Sequence, residues 1–203
     1  SPHSYYGMEK LAGERMTESY GRMFGLLWTI VRFGTVPGPD ELLKRLSSAD
    51  VANYLRGFAS DPTSQLYAPG IDRPSAAVER AIDEGTEYVI PIGANGKSWM
   101  QDLVDVRDTV QGIILAMTHD NGKDETFNIT GFGVTWEEAL THLAMRTGVK
   151  CPKIELPNTW YWRCDNSKAK SRIGYMPQYT IDRMIDDALA FERGEDIGVL
   201  PSS

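Results

Sequence analysis

The sequence is poor in the residues that hold metals or staple small secreted folds. Two cysteines, Cys151 and Cys164, and three histidines, His3, His119 and His142, are scattered over 203 residues. None falls at metal-ligand spacing, so no metal site is expected, and the two thiols read as reduced, structural residues of a cytoplasmic protein. Long apolar runs are missing too. The longest, Leu26–Val31, is far below the roughly 20 residues that a membrane-spanning helix needs. No signal-peptide pattern opens the chain, so no membrane partner is expected. Basic clusters are absent, and a formal charge of −7 argues against nucleic acid as a partner. Repeats and low-complexity segments are absent as well. What remains is an ordinary globular balance, 41% hydrophobic and 24% charged, sufficient for one sizeable core or part of a larger one.

Periodicity and breakers divide the chain into alternating helices and strands. Residues 4–25 have a helical apolar face through Tyr6, Leu11, Met16, Tyr20, Met23 and Phe24, with room at Gly13 and Gly21 for a close helix neighbour. Residues 26–33 are apolar on both faces, as a central parallel strand is. Glu41–Leu46 and Ala49–Phe58 read as short amphipathic helices, and 60–64 and 68–70 as loops. The stretch 40–73 is expected to be a lid or substrate-side insertion, or else a surface extension serving dimer contacts. A helix over Ala76–Glu84 ends at Gly85, and a strand follows at Glu87–Ile92. A tight turn at 93–96 leads into a strand over Ser98–Val104. Asp105 or Asp108 opens a helix to Thr118, and Asp108 reads first as a cap. Thr135 and Glu138 have the form of a capping box before a helix that ends at Gly148. A short strand is expected at Ile154–Leu156, and a helix capped by Thr180 runs to about Arg193. The aromatic run Trp160-Tyr161-Trp162 reads as core or interface.

Tyr6-Gly7-Met8-Glu9-Lys10 carries the chemistry. Side chains four apart on a helix lie about 40° apart around the axis and one turn apart along it. A Lys10 ammonium beside the Tyr6 phenol favours the phenolate, which makes the phenol a usable proton carrier. On the pentapeptide alone, a tyrosine on a buried helix edge with a solvated lysine is the leading explanation.

The wider order of motifs resembles the second half of the extended short-chain dehydrogenases/reductases, the NAD-dependent epimerase/dehydratase group. After the Tyr-Gly-x-x-Lys helix comes an apolar strand closed by Gly34-Thr35-Val36-Pro37-Gly38-Pro39. Gln101-Asp102-Leu103-Val104-Asp105-Val106-Arg107-Asp108 resembles the family's R-D-x-x-H-V-x-D. Phe127-Asn128-Ile129-Thr130-Gly131 resembles its last core strand. Asp165-Asn166-Ser167-Lys168-Ala169-Lys170 with Ile173-Gly174-Tyr175-Met176-Pro177 resembles D-x-S-K-A-x-x-x-L-G-x-x-P.

The resemblance implies an α/β fold, the C-terminal part of a Rossmann-like doubly wound parallel sheet with a smaller α/β substrate-binding domain. Residues 1–38 would end the Rossmann-like core, 39–100 would belong to the substrate domain, 101–134 would return to the core, and 135–203 would supply the C-terminal helices and tail. It also implies an NAD- or NADP-dependent oxidoreductase or epimerase/dehydratase acting on a small-molecule substrate, a sugar, sugar acid or related alcohol or carbonyl compound. Tyr6 would exchange the proton, Lys10 would activate it and reach the nicotinamide ribose, and Phe33, Gly34, Thr35 and Val36 would border the nicotinamide. Thr35, Gln101 and Arg163 are candidate substrate contacts. Lys168 reads as a helix-surface lysine. A homodimer is expected.

The departures matter. Thr35 stands where the family often has Asn, Pro37 where it has Tyr, Gln101 where it has a phosphate-pairing Arg, and Asp105 where it has His. Losing a cation and gaining an anion disfavours a diphosphate there. No glycine-rich turn between a strand and a helix is present to receive a pyrophosphate. An N-terminal Rossmann half is therefore expected to be required, and NAD and NADP both remain compatible. A non-catalytic substrate-domain relic, acting in dimerisation or partner binding, is the competing expectation.

Overall fold

The chain is built outward from one pair of parallel strands. The computed structural model describes residues 5–59 and 76–201. Strand β1, Thr29–Phe33, pairs in parallel with β4, Glu125–Ile129, in the register Thr29 to Glu125 through Phe33 to Ile129. Successive side chains of a strand face opposite ways. Val31 therefore points with Phe127 and Ile129 into a cluster with Ala116, Ala169 and Tyr175. Arg32 points to the other face. Helix α5, Val106–Thr118, crosses the first face and comes so close at Gly112 that a Cβ would collide with Ile129. Helix α7, Ser167–Ile173, packs against β4 on that side. Helix α1, Tyr5–Phe24, lies on the opposite face, so the pair is doubly wound.

A second lobe surrounds its own core. Strand β2, Ile90–Ile92, pairs in parallel with β6, Lys153–Glu155. Strand β3, Met100–Leu103, pairs antiparallel with β5, Phe132–Thr135. Helices α2 (Leu42–Arg45), α3 (Ser48–Ala59), α4 (Ala76–Asp83), α6 (Trp136–Thr147) and α8 (Ile181–Glu192) close over them. Trp99 is fully buried, stacks edge-on against Trp136 at 6.1 Å between ring centroids, and donates its indole N–H to the Asn158 carbonyl. Trp160 joins this group, while Tyr161 stays exposed.

Most local expectations hold, with shorter strands. The capping box at Thr135 and Glu138 is formed, and Gly148 ends α6 in the left-handed conformation at φ 76°. The strand expected over 26–33 begins only at Thr29, because Gly25 at φ 65° ends α1 and turns the chain first. Phe132–Thr135, just ahead of the α6 cap, forms the unforeseen strand β5, whose hydrogen-bonding partner lies some thirty residues upstream. Asp105, not Asp108, caps α5, accepting from the Arg107 N–H. Asp108 lies inside the first turn, 2% exposed, and accepts from the backbone N–H groups of Gln178 and Tyr179. It clamps the entry to α8. The expected lid or surface extension at 40–73 is core over its first half, where Leu42, Leu46, Val51 and Leu55 are buried. The expected loops at 60–64 and 68–70, and His3, lie outside the described residues.

Helix α1 exposes most of its surface and is held by few contacts. Gly21 meets the Trp28 ring so closely that any Cβ would collide with it. About two turns earlier, Arg32 grips Glu14 with both arms of its guanidinium, at 2.7 and 2.6 Å. The Arg32 hydrogen bonds hold the Glu14 carboxyl below its ordinary range. A carboxylate depressed in the folded state contributes stability above its unfolded pKa and loses it as pH falls through the folded value. The protection of α1 amides against hydrogen exchange, corrected for intrinsic rates, should therefore decline below the ordinary carboxylate range. Glu14→Gln should lower it about fivefold at neutral pH, as expected for a half-exposed bidentate pair worth about 1 kcal/mol. Protection in Glu14→Gln equal to wild type at neutral pH would show that the pair does not anchor the helix.

Candidate active site

The two contacts that anchor α1 also set where its first turns lie. Gly21 meets Trp28 and Glu14 meets Arg32, so helix numbers fall as strand numbers rise, and α1 runs antiparallel to β1. The first turns of α1, which hold Tyr6 and Lys10, therefore lie on the side of the Glu14–Arg32 pair toward which β1 ends. The helix thus delivers Tyr6 and Lys10 toward the carboxyl ends of β1 and β4. In open α/β sheets that edge is where ligands bind. The Lys10 ammonium sits 5.0 Å from the centre of the Tyr6 ring. Both side chains are open to solvent, Tyr6 at 69%.

The loop after β1 is stitched to the second lobe. Thr35 donates its N–H to the Asp102 carbonyl at 3.0 Å and accepts from the Val104 N–H at 3.0 Å, forming a parallel bridge to Leu103. Phe33 is exposed, while Gly34, Thr35 and Val36 are half-buried. Beyond them a cavity of 580 Å³ is lined by Val36, Pro37, Val106, Arg107, Val110 and Leu200 among others. Phe33, Gly34, Thr35 and Val36 thus follow one another past the carboxyl end of β1.

The remaining candidates stand differently. Gln101 is 1% exposed, and its Nε2 has no partner among the described residues. It leaves β3 on the face opposite Asp102. Arg163 is exposed, its stem passing close over Gly133, and it makes no ion pair among the described residues. Lys168 pairs with Glu125 at 2.7 Å on the helix surface. Burial raises both cysteine thiols, with the Asp102 charge adding to the effect at Cys164. No cluster that could hold a metal occurs among the described residues.

Asp102 was not singled out from sequence, although it stands within the Gln101–Asp108 motif. It is 1% exposed. Its Oδ1 accepts from the Gly131 N–H at 3.2 Å and its Oδ2 from the Cys164 N–H at 3.1 Å. Burial pushes its carboxyl up, and these backbone donors and the Arg163 charge draw it back down. The only local signal was an acidic residue within a short strand.

Comparison with known proteins agrees with this architecture. A short-chain dehydrogenase/reductase superfamily protein from Agrobacterium tumefaciens, solved with bound NAD, superposes with a TM-score of 0.74 at 23% identity, over 96% of this chain and 61% of that one. UDP-glucuronic acid 4-epimerase from Bacillus cereus, solved with UDP-glucuronic acid and NAD, gives a TM-score of 0.60 at 21% identity, over 96% and 54%. At such identities the likeness shows the fold, Rossmann-like α/β. A curated relative from Bacillus subtilis (strain 168), described as an uncharacterized UDP-glucose epimerase, is 24% identical over 205 residues. The alignment takes in 94% of this chain and 52% of the relative, so the chain spans about half that protein's length. The model of the NAD dependent epimerase/dehydratase family matches residues 1–130. The helix with its Tyr6–Lys10 pair, the parallel strands and the loop between them all fall within that match, and the chain belongs to the NAD-dependent epimerase/dehydratase family.

Proposed function

We propose that this chain carries the proton-transferring and substrate-facing part of an NAD(P)-dependent oxidoreductase or epimerase/dehydratase. One observation supports the reading: Lys10 lies beside the Tyr6 ring on a helix that Glu14 ties to β1, the strand whose carboxyl end leads into Gly34–Val36. The residues fit the nicotinamide-ribose end of a dinucleotide. Tyr6 and Lys10 offer two exposed donors, a hydroxyl and an ammonium. A bound dinucleotide would supply the hydride donor or acceptor. Tyr6 would pass a proton to or from a substrate hydroxyl or carbonyl, Lys10 would favour the phenolate and donate to a ribose hydroxyl, and Phe33–Val36 would border the ring.

The pyrophosphate end needs more than these residues give. No glycine-rich turn opens a helix among the described residues, and the edge of β1 away from β4 has no neighbouring strand among them. A glycine-rich Rossmann half docking on that edge supplies both. The substrate reading is a sugar, sugar acid or related alcohol, with an unphosphorylated compound favoured over a nucleotide sugar. Gln101 carries no charge. Asp105 is neutralised by Arg107, which Asp187 also holds at 2.6 Å, so Arg107 is not free for a diphosphate at this end of α5.

Turnover of the complete protein with free sugars, sugar acids and UDP-sugars tests the assignment. Tyr6→Phe should cost about 10²–10⁴-fold in kcat with dinucleotide affinity nearly unchanged, whereas Lys10→Ala should damage both. Near-normal kcat in Tyr6→Phe would remove Tyr6 from the proton path. The 203-residue chain by itself should bind neither NADH nor NADPH tightly, and micromolar affinity in a fluorescence titration would contradict the need for a Rossmann half.

The exposed side of α1 supports a homodimer. Met16, Tyr20 and Met23 are each more than half exposed, beside a 340 Å³ hollow lined by Tyr20, Gly21, Leu26, Leu27 and Trp28 among others. A self-complementary helix face is what a two-fold dimer uses. Met16→Glu should dissociate the complete protein in sedimentation, and a monomeric wild type at micromolar concentration would rule the dimer out.

A further inference from the structure

We propose that Asp102 is the positioning residue of the cofactor-facing loop, an inference that rests on the reading of Phe33–Val36 given above. Three separate segments converge on this one residue. Its carbonyl takes the Thr35 N–H, its Oδ1 the Gly131 N–H, and its Oδ2 the Cys164 N–H. Gly34 completes the contact, since a Cβ there would lie 2.8 Å from Oδ1. An ionised carboxylate is acceptor-only, so both oxygens can serve backbone donors together. No neutral side chain of the same size does so.

The fit leaves little slack. A Cβ at Gly131 would run into the Leu103 carbonyl, so the chain after β4 has no room to move toward β3. With Gly34 pressed on the other side, the carboxylate is a wedge of fixed thickness between the end of β1 and the end of β4. The level of the Gly34–Val36 loop relative to Tyr6 and Lys10 is thus set by Asp102 as well as by β1. Asn at this position keeps the shape but turns an NH₂ toward one of the two N–H donors, losing one bond and opposing another donor.

The test uses the complete enzyme, with dinucleotide binding followed by NADH fluorescence and kcat and KM measured alongside. Asp102→Asn should weaken dinucleotide binding about tenfold and raise its KM in proportion, with a smaller change in kcat. Asp108→Asn is the control, because it replaces an equally buried carboxylate that also serves two backbone N–H groups, at the entry to α8 rather than the loop. It should lower the melting temperature and leave dinucleotide affinity as in wild type. Unchanged affinity in Asp102→Asn, or an equal loss in Asp108→Asn, would overturn the positioning role. If Asp102→Asn does not fold, Gly34→Ala gives the reading, since its methyl pushes on the same carboxylate. Weakened binding supports the proposal and unchanged binding overturns it. Tyr6→Phe run in parallel separates the two levels. Retained turnover there defeats the functional reading itself, whereas lost turnover with normal dinucleotide affinity in Asp102→Asn defeats only this inference.

Discussion

Two backbone hydrogen bonds at Thr35 join the lobes, and the candidate site lies where they fall. β1 ends at Phe33, yet the chain does not leave the sheet. It continues as one parallel rung against β3, with Asp102 accepting and Val104 donating. Strand β3 in turn pairs with β5, which leaves the end of β4 after a single turn at Gly131. The Rossmann-like pair and the second lobe therefore share a seam at the carboxyl edge of the parallel strands. A loop held on both sides in this way has a defined height above the sheet. A loop held only by β1 would fray within a residue or two.

The charges around this seam are largely committed. Arg32 is taken by Glu14, and Arg107 is taken by Asp105 and Asp187 while its guanidinium lies 3.7 Å from the centre of the Tyr179 ring. Paired, stacked guanidinium groups stay where they are, because breaking such a pair leaves a poorly solvated charge behind. These cations are structural. Lys10 and Arg163 are exposed and form no ion pair among the described residues, and Lys10 lies over the Tyr6 ring. That division explains how an acidic chain presents one positive charge beside a phenol without a general basic surface.

What could be read from the sequence follows the range of the interaction that sets it. The extent of α1, the box at Thr135 and Glu138, the left-handed stop at Gly148 and the adjacency of Tyr6 and Lys10 all depend on residues within one turn of each other. They were legible. The role of Asp108 was not, because its partners Gln178 and Tyr179 lie some 70 positions away. A buried aspartate with distant N–H partners has the same local signature as a cap. β5 was missed for the same reason, since Phe132–Thr135 has too few apolar residues to announce a strand that exists only against β3. Asp102 combines both difficulties, with partners 29 and 62 positions downstream.

The openness of Tyr6 sets the last physical condition. The attraction between Lys10 and a developing phenolate scales inversely with the local dielectric constant, so it grows about fourfold between bulk water and the effective value of about 20 found near protein charges. Exposed on α1, the pair is in the weak regime. The same surface also carries Met8, Met16 and Tyr20, all more than half exposed, and exposed apolar side chains in this density are a covered face in most proteins. Covering α1 would bury apolar area and, in the same step, exclude water from Tyr6 and Lys10. On the proposed assignment, assembly and proton transfer would be coupled through one helix: whatever closed its apolar side would strengthen the attraction between Lys10 and a Tyr6 phenolate.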